Sequence, residues 1–218
     1  MAPYRQLSDL PQLIPVFPLD GALLLPGGEL PLQIFEPRYL NMVDDVMGGD
    51  RIIGMIQTRG GSPDRPTLSE VGCAGRITSY NETSDGRYLI TLTGVCRFQA
   101  GEELDLRLPY RQLRANYDKF AGDLDRDERA EADAKARARF ATALKRYLNH
   151  RELDIDWETV NEAPLEALVN SLCMGLPFEP AEKQAFLEAP DLPGRFEVLT
   201  TLLEIDASDP DDERAQLQ

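Results

Sequence analysis

Short apolar runs punctuated by Pro and Gly fill the first half of the chain. Leu13-Ile14-Pro15-Val16-Phe17 reads as a strand that Pro15 interrupts, which fits an edge or a bulge. Ala22 to Leu25 predicts a second short strand, stopped by Pro26-Gly27-Gly28. Leu30, Leu32 and Ile34 then alternate with Pro31 and Gln33, the period of a strand with one buried face. Pro37 suits the first position of a helix, where its missing N–H costs nothing, and Leu40, Val43 and Met47 recur at helical spacing before Gly48-Gly49. Ile52 to Gln57 reads as a strand. Val71 to Ser79 and Arg87 to Thr93 flank Asp85-Gly86, a pair that supplies the positive φ of a tight hairpin. In its second strand Tyr88, Ile90 and Leu92 alternate with Leu89, Thr91 and Thr93. Gly94 marks an expected bulge before Val95 to Gln99, and residues 106–117 form a further extended stretch broken by Pro109. Short strands with one helix suggest a small barrel-like β fold.

The periodicity changes near Gly122-Asp123. Asp125 precedes Glu128 by three residues, close to a capping box, and predicts a long helix running to Asn149. Its apolar stripe, Phe140, Leu144, Tyr147 and Leu148, occupies only the second half. Three shorter helices are expected at about 162–174, 180–188 and 194–205, separated by prolines. Residues 207–218 read as a disordered acidic tail. The expected domains are therefore a β-rich part over 1–122, a helical part over 123–206, and the tail.

Composition changes the picture in two respects. The formal charge is −15, and residues 1–110 hold nine Lys and Arg against fourteen Asp and Glu. Nucleic-acid binders draw most of their affinity from cations set against phosphates, so this balance argues against such a partner. No apolar run approaches the roughly 20 residues of a membrane span, and the N-terminus lacks the apolar region of a signal peptide, which points to a cytoplasmic protein.

Candidate chemistry is sparse. Cys73, Cys96 and Cys173 form no C-x-x-C pair and read as buried free thiols. The single histidine, His150, falls at the end of the predicted long helix, where it suits the helix dipole better than catalysis. There is no phosphate-binding loop, zinc motif or nucleophile elbow. Adjacent carboxylates such as Asp44-Asp45 point in different directions on a helix and read as solvated surface. Neither catalytic residues nor a metal or other cofactor is expected.

One resemblance joins these pieces. Leu13-Ile14-Pro15-Val16-Phe17-Pro18-Leu19, Leu25-Pro26-Gly27-Gly28 and Leu30 through Tyr39 resemble the opening of the Lon protease substrate-binding domain. Glu70 to Ile77 is similar to that family's E-V-G-x-x-A/G-x-I strand, and Tyr88 to Phe98 to the strand that ends G-x-x-R-f. Leu176-Pro177 with Glu182-Lys183-Gln184 and Leu187-Glu188 resembles its L-P-x-x-x-x-E-K-Q-x-L-L-E signature, and residues 195–203 its next helix. The similarity runs over roughly residues 12–205, and Glu36-Pro37-Arg38-Tyr39 is similar to the version in bacterial proteins consisting of this domain alone.

The resemblance implies an α+β fold: a PUA-like β-rich pseudo-barrel followed by a helical bundle with one long helix. It also implies a non-catalytic module that recognises unfolded or exposed apolar segments of proteins, or docks on a protein partner, without the ATPase and Ser–Lys protease of full-length Lon. Phe35, Arg38, Tyr39, Trp157 and Phe178, near element ends or in loops, are the candidate peptide contacts; packing is the competing role for the aromatics, and an ion pair for Arg38. RNA binding, known for PUA-like barrels, and a small-ligand sensor are the alternative functions.

Overall fold

The hydrophobic alternation of the first half resolves into six strands in the computed structural model, which describes residues 4–62, 65–104, 107–125 and 132–206. These are β1 (Leu13–Pro18), β2 (Glu29–Ile34), β3 (Ile52–Ser62), β4 (Arg65–Glu82), β5 (Tyr88–Leu104) and β6 (Arg111–Asn116). They run in the order β2-β5-β4-β3-β1-β6, with β6 also paired to β5. That extra pairing closes five strands into a ring and leaves β2 attached to β5 alone among the described strands. The long strand β5 makes this possible: its first half pairs with β2 and its last residues, Gln99 to Leu104, pair with β6. Ile14, Val16, Ile53, Cys73, Cys96, Phe98 and Leu113 fill the core.

Several expectations shift for physical reasons. β1 is not an edge; it lies between β3 and β6. Its register with β3 begins only at Val16, so Pro15 precedes the positions where an N–H would be needed on that side. Residues 22–25 form no strand. Leu23, Leu24 and Leu25 are all buried, so burial rather than a ladder fixes their path. The bulge at Gly94 is present: Gly75 faces Gly94 while Ala74 faces Cys96, leaving Val95 as the extra residue. In the hairpin, Gly86 takes φ +77 and its N–H donates to the Thr83 carbonyl at 3.0 Å.

The helices are α1 (Pro37–Met47), α2 (Ala134–His150), α3 (Trp157–Glu162), α4 (Leu165–Gly175), α5 (Pro180–Glu188) and α6 (Leu192–Asp206). Pro37 opens α1 as expected. After Gly48 it is Arg51, not a glycine, that takes the left-handed conformation, with its N–H donating to the Val46 carbonyl. The described part of α2 starts nine residues later than Asp125. Asp133 caps it, accepting from the N–H groups of Lys135 and Ala136 at 2.9 Å. Asp125 instead ends a 3₁₀ turn over Asp118–Leu124, and Glu128 lies outside the described residues, as does the acidic tail. The helix expected over 162–174 is α4, which begins just after Pro164, and the short helix α3 before it was not expected.

Two compact units emerge. The first is Met1–Arg126 with Asn170–Glu188, and the second is Asp127–Val169 with Ala189–Gln218. In the second, α2 and α6 bury Leu144, Tyr147, Leu199 and Leu203, with the Phe140 and Phe196 rings 5.1 Å apart. Arg139 joins the pair from outside, donating to Glu204 at 2.8 Å and to Glu197. Among the described residues no helix is long and apolar enough to cross a membrane.

Candidate functional site

Strand β2, whose second edge has no partner among the described strands, also has an unusual outer face. Leu30, Leu32 and Ile34 of β2 turn inward, and Pro31 and Gln33 are exposed. Register extends the outer row across three strands: Pro31, Thr91 and Ser79 stand side by side, followed by Gln33, Leu89 and Asn81. These residues line a shallow depression of about 530 Å3. Leu89 is 42% exposed and Phe35, one residue past the end of β2, is 60% exposed. The guanidinium carbon of Arg87 lies 5.9 Å from the Phe35 ring centroid, so the row continues to the hairpin. The result is an open surface of apolar groups and short hydroxyl and amide side chains beside a strand edge that is unpaired among the described strands. Such a surface suits an extended polypeptide, whose backbone pairs with the edge and whose side chains lie on the face.

Hydrogen bonds hold the surroundings of this strand together. The Gly27 N–H donates to the Gly94 carbonyl at 2.8 Å, and the Gly94 N–H to the Gly28 carbonyl at 2.9 Å, fixing the turn that enters β2. A Cβ at Gly94 would lie 2.0 Å from the Leu25 carbonyl oxygen, so this approach requires glycine. The Asn170 amide donates to the Pro26 carbonyl at 2.8 Å from the other side. At the far end Tyr88 donates to Asp44 at 3.0 Å and Tyr110 to Asp45 at 2.6 Å. The adjacent carboxylates of α1 thus diverge, as helix geometry requires, and each takes a tyrosine hydroxyl. Burial, followed by the Asp45 hydrogen bond, pushes the Tyr110 hydroxyl up to about 12.

The predicted contact residues are distributed unevenly. Phe35, Arg38 and Tyr39 cluster at the start of α1. Arg38 pairs with Glu36 at 2.8 Å and lies over the Tyr39 ring at 4.6 Å. Tyr39 itself is buried, edge-on to Phe17 at 4.2 Å. Phe178 is also buried, 5.1 Å from Phe186 of α5. Trp157 belongs to the second compact unit, at the start of α3. Of the five, Phe35 presents the largest apolar surface. Sequence reasoning passed over Leu89 and Pro31. The signal was available: one leucine on an outer row that otherwise holds threonines.

The remaining segments of the resemblance are structural in their contacts. Arg97 is 2% exposed; its guanidinium donates to both oxygens of Asp123 at 2.8 and 2.9 Å and to the Leu187 carbonyl at 3.0 Å. From α5, Lys183 donates to the Gly21 carbonyl at 2.7 Å and Gln184 to the Val71 carbonyl at 3.2 Å. Gln57 of β3 answers with bonds to Gln184 and to the Pro180 carbonyl. Cys96 is fully buried, and burial, reinforced by the Asp123 charge, pushes its thiol up to about 12.

Comparison with known proteins places this fold. Solved structures of the Lon N-terminal domain protein from Xanthomonas campestris (TM-score 0.63, 20% identity, 87% of this chain and 97% of that one) and of the N-terminal domain of Mycobacterium avium complex Lon protease (TM-score 0.61, 20% identity, 88% and 97%) share it. The family described as the ATP-dependent protease La (LON) substrate-binding domain matches residues 13–204, and the chain belongs to that family. Lon protease 2 of Myxococcus xanthus is 26% identical over 90% of this chain, and Lon protease 2 of Sorangium cellulosum 30% over 55%. The chain spans 24% and 15% of the length of those two relatives.

Proposed function

We propose that this chain is a polypeptide-binding module that holds unfolded or exposed apolar segments of proteins along β2 and across the outer face of β2, β5 and β4. The observation behind it is the coincidence of a strand edge without a partner among the described strands and an exposed apolar row, Phe35, Leu89 and Pro31. Membership of a substrate-binding domain family favours a protein ligand over a small one. We read the closed ring of strands as the PUA-like pseudo-barrel, serving here as the rigid mount for that face.

The module acts by binding rather than by bond-making. The buried polar side chains Gln57, Arg97 and Asn170 are spent on backbone and ion-pair contacts, and the raised Cys96 thiol is a poor nucleophile. The two buried candidates, Tyr39 and Phe178, shape the module from within, and Arg38 screens the ring of Tyr39. Fluorescence anisotropy of a labelled, permanently unfolded polypeptide tests the reading, with its folded form as control. Selective binding of the unfolded form is expected. Phe35→Ala should weaken it about tenfold, equivalent to ~1.4 kcal/mol for half of a Phe burial, with unchanged thermal stability. Equal affinity in a folded Phe35→Ala variant would remove this face from the site.

A further inference from the structure

The second compact unit carries a surface of different character. On α2 the apolar stripe Phe140, Ala143, Leu144, Tyr147 and Leu148 is buried. Ala141, Thr142, Lys145, Arg146 and Asn149 occupy the opposite side at the same helical spacing and are exposed. Trp157 closes over them from the start of α3, forming a groove of about 570 Å3. Glu152, with φ +52, helps to turn the chain back between the two helices. Among the described residues the groove is lined by two cations and no carboxylate, in a chain of net charge −15. Lys145 has no ion-pair partner among the described residues. Both cations stand about a turn inside the helix end, where the partial negative charge of that end has largely decayed.

The segment after α6 is complementary to this groove. The last helical residue, Asp206, accepts from Arg151, the residue that ends α2, so the chain leaves α6 beside the end of α2 that bears the groove. Glu204, half a turn earlier, is held below its ordinary value first by its hydrogen bond from Arg139 and more weakly by the Arg146 charge, so Arg146 also faces this end of α6. The sequence continues Ala207-Ser208-Asp209-Pro210-Asp211-Asp212-Glu213, four carboxylates in five positions around one proline. From Arg151 back to Ala141 is roughly 15 Å of helix. An extended chain covers roughly 16 Å in the five residues from Asp206 to Asp211. Length, exit point and charge therefore agree on one occupant.

We propose that the acidic segment after Asp206 docks in cis on the Lys145–Arg146–Trp157 groove. The contact is independent of the polypeptide-binding face on the first unit, and its test uses a different signal.

Trp157 is the only tryptophan in the chain, so its emission reports on the groove alone. The experiment compares acrylamide quenching in the full chain and in the full chain carrying Asp209→Asn, Asp211→Asn, Asp212→Asn and Glu213→Gln. Acrylamide is neutral, so the change in net charge does not itself alter its access. The expected result is a quenching constant about twofold higher in the neutralised chain at low salt, a difference that collapses near 0.5 M salt as screening separates the charges. Lys145→Glu with Arg146→Glu, both at exposed positions, should raise the constant to the same level and abolish the effect of neutralising the tail. Identical quenching with and without the four carboxylates would overturn the proposal. So would a difference that survives in the Lys145→Glu, Arg146→Glu background, or one that depends on protein concentration and thus reports contact between copies.

Discussion

Arg97 shows how a single side chain can hold three segments of one unit. Strand β5 supplies it, Asp123 of the 3₁₀ turn balances its charge, the Leu187 carbonyl at the end of α5 accepts a third bond, and the Phe120 ring lies 4.4 Å from its guanidinium carbon. With the Arg97 side chain 2% and Asp123 11% exposed, removing either partner strands a charge away from water. Arg97→Ala should therefore cost about 3–5 kcal/mol in urea unfolding, as breaking other buried pairs does. A loss below about 1 kcal/mol would mean that solvent reaches the site. Neighbouring Cys96 adds a pH dependence. Its thiol rises from 9.0 to about 12 on folding, chiefly through burial. The folded chain thus holds this proton more tightly than the unfolded chain. The stabilisation is intact below pH 9 and drains away as pH climbs toward 12, by at most about 1.4 kcal/mol per pH unit. Urea midpoints measured between pH 8 and 11 should fall, and Cys96→Ala should flatten the slope; an unchanged slope in that variant would assign the effect to Tyr110 and other groups.

At the scale of elements, the position of β2 depends on contacts that periodicity does not reveal. The alternation of Leu30, Leu32 and Ile34 predicts the strand, and the Asp85-Gly86 pair predicts the hairpin it joins. Nothing in residues 22–25 distinguishes a strand from an extended segment, because three consecutive buried leucines satisfy either. The deciding feature is long-range: Gly94 pressed against the Leu25 carbonyl, far away in sequence. Gly94→Ala should lower stability by more than about 4 kcal/mol or prevent folding, since backbone at 2.0 Å cannot yield. Gly122→Ala, with no heavy atom within 4 Å of its added Cβ, should shift the melting temperature little, within about 0.5 kcal/mol. The start of α2 shows the same limitation: both Asp125 and Asp133 are plausible caps by residue type, and only the hydrogen bonds to Lys135 and Ala136 select Asp133.

For the molecule as a whole, the family and its mixture of a β-rich part with helices were legible because the informative segments are spread in order over nearly the entire chain, and many of them fix the scaffold. Glu182-Lys183-Gln184 illustrates why. Glu182 accepts from the Glu179 N–H at the start of α5, and the next two residues fasten α5 to the first unit's backbone. The proposed binding face was less legible because it depends on exposure and on strand order. Phe35 could be picked out at an element end, but so could Tyr39 and Phe178, which the fold buries. Leu89 stands out in sequence only as one leucine in a row of threonines, and its place beside Gln33 and Asn81 comes from the register. A net charge of −15 opposes acidic clients, so the proposed binding would draw on apolar and backbone contacts there. The most direct measurement is amide hydrogen exchange of the full chain with and without a saturating unfolded polypeptide. If β2 and its outer face hold the client, added protection will concentrate in Glu29–Ile34 and around Leu89, with the α2–α6 pair unchanged. Protection confined to the helical unit, with β2 exchanging as in the free protein, would contradict that role.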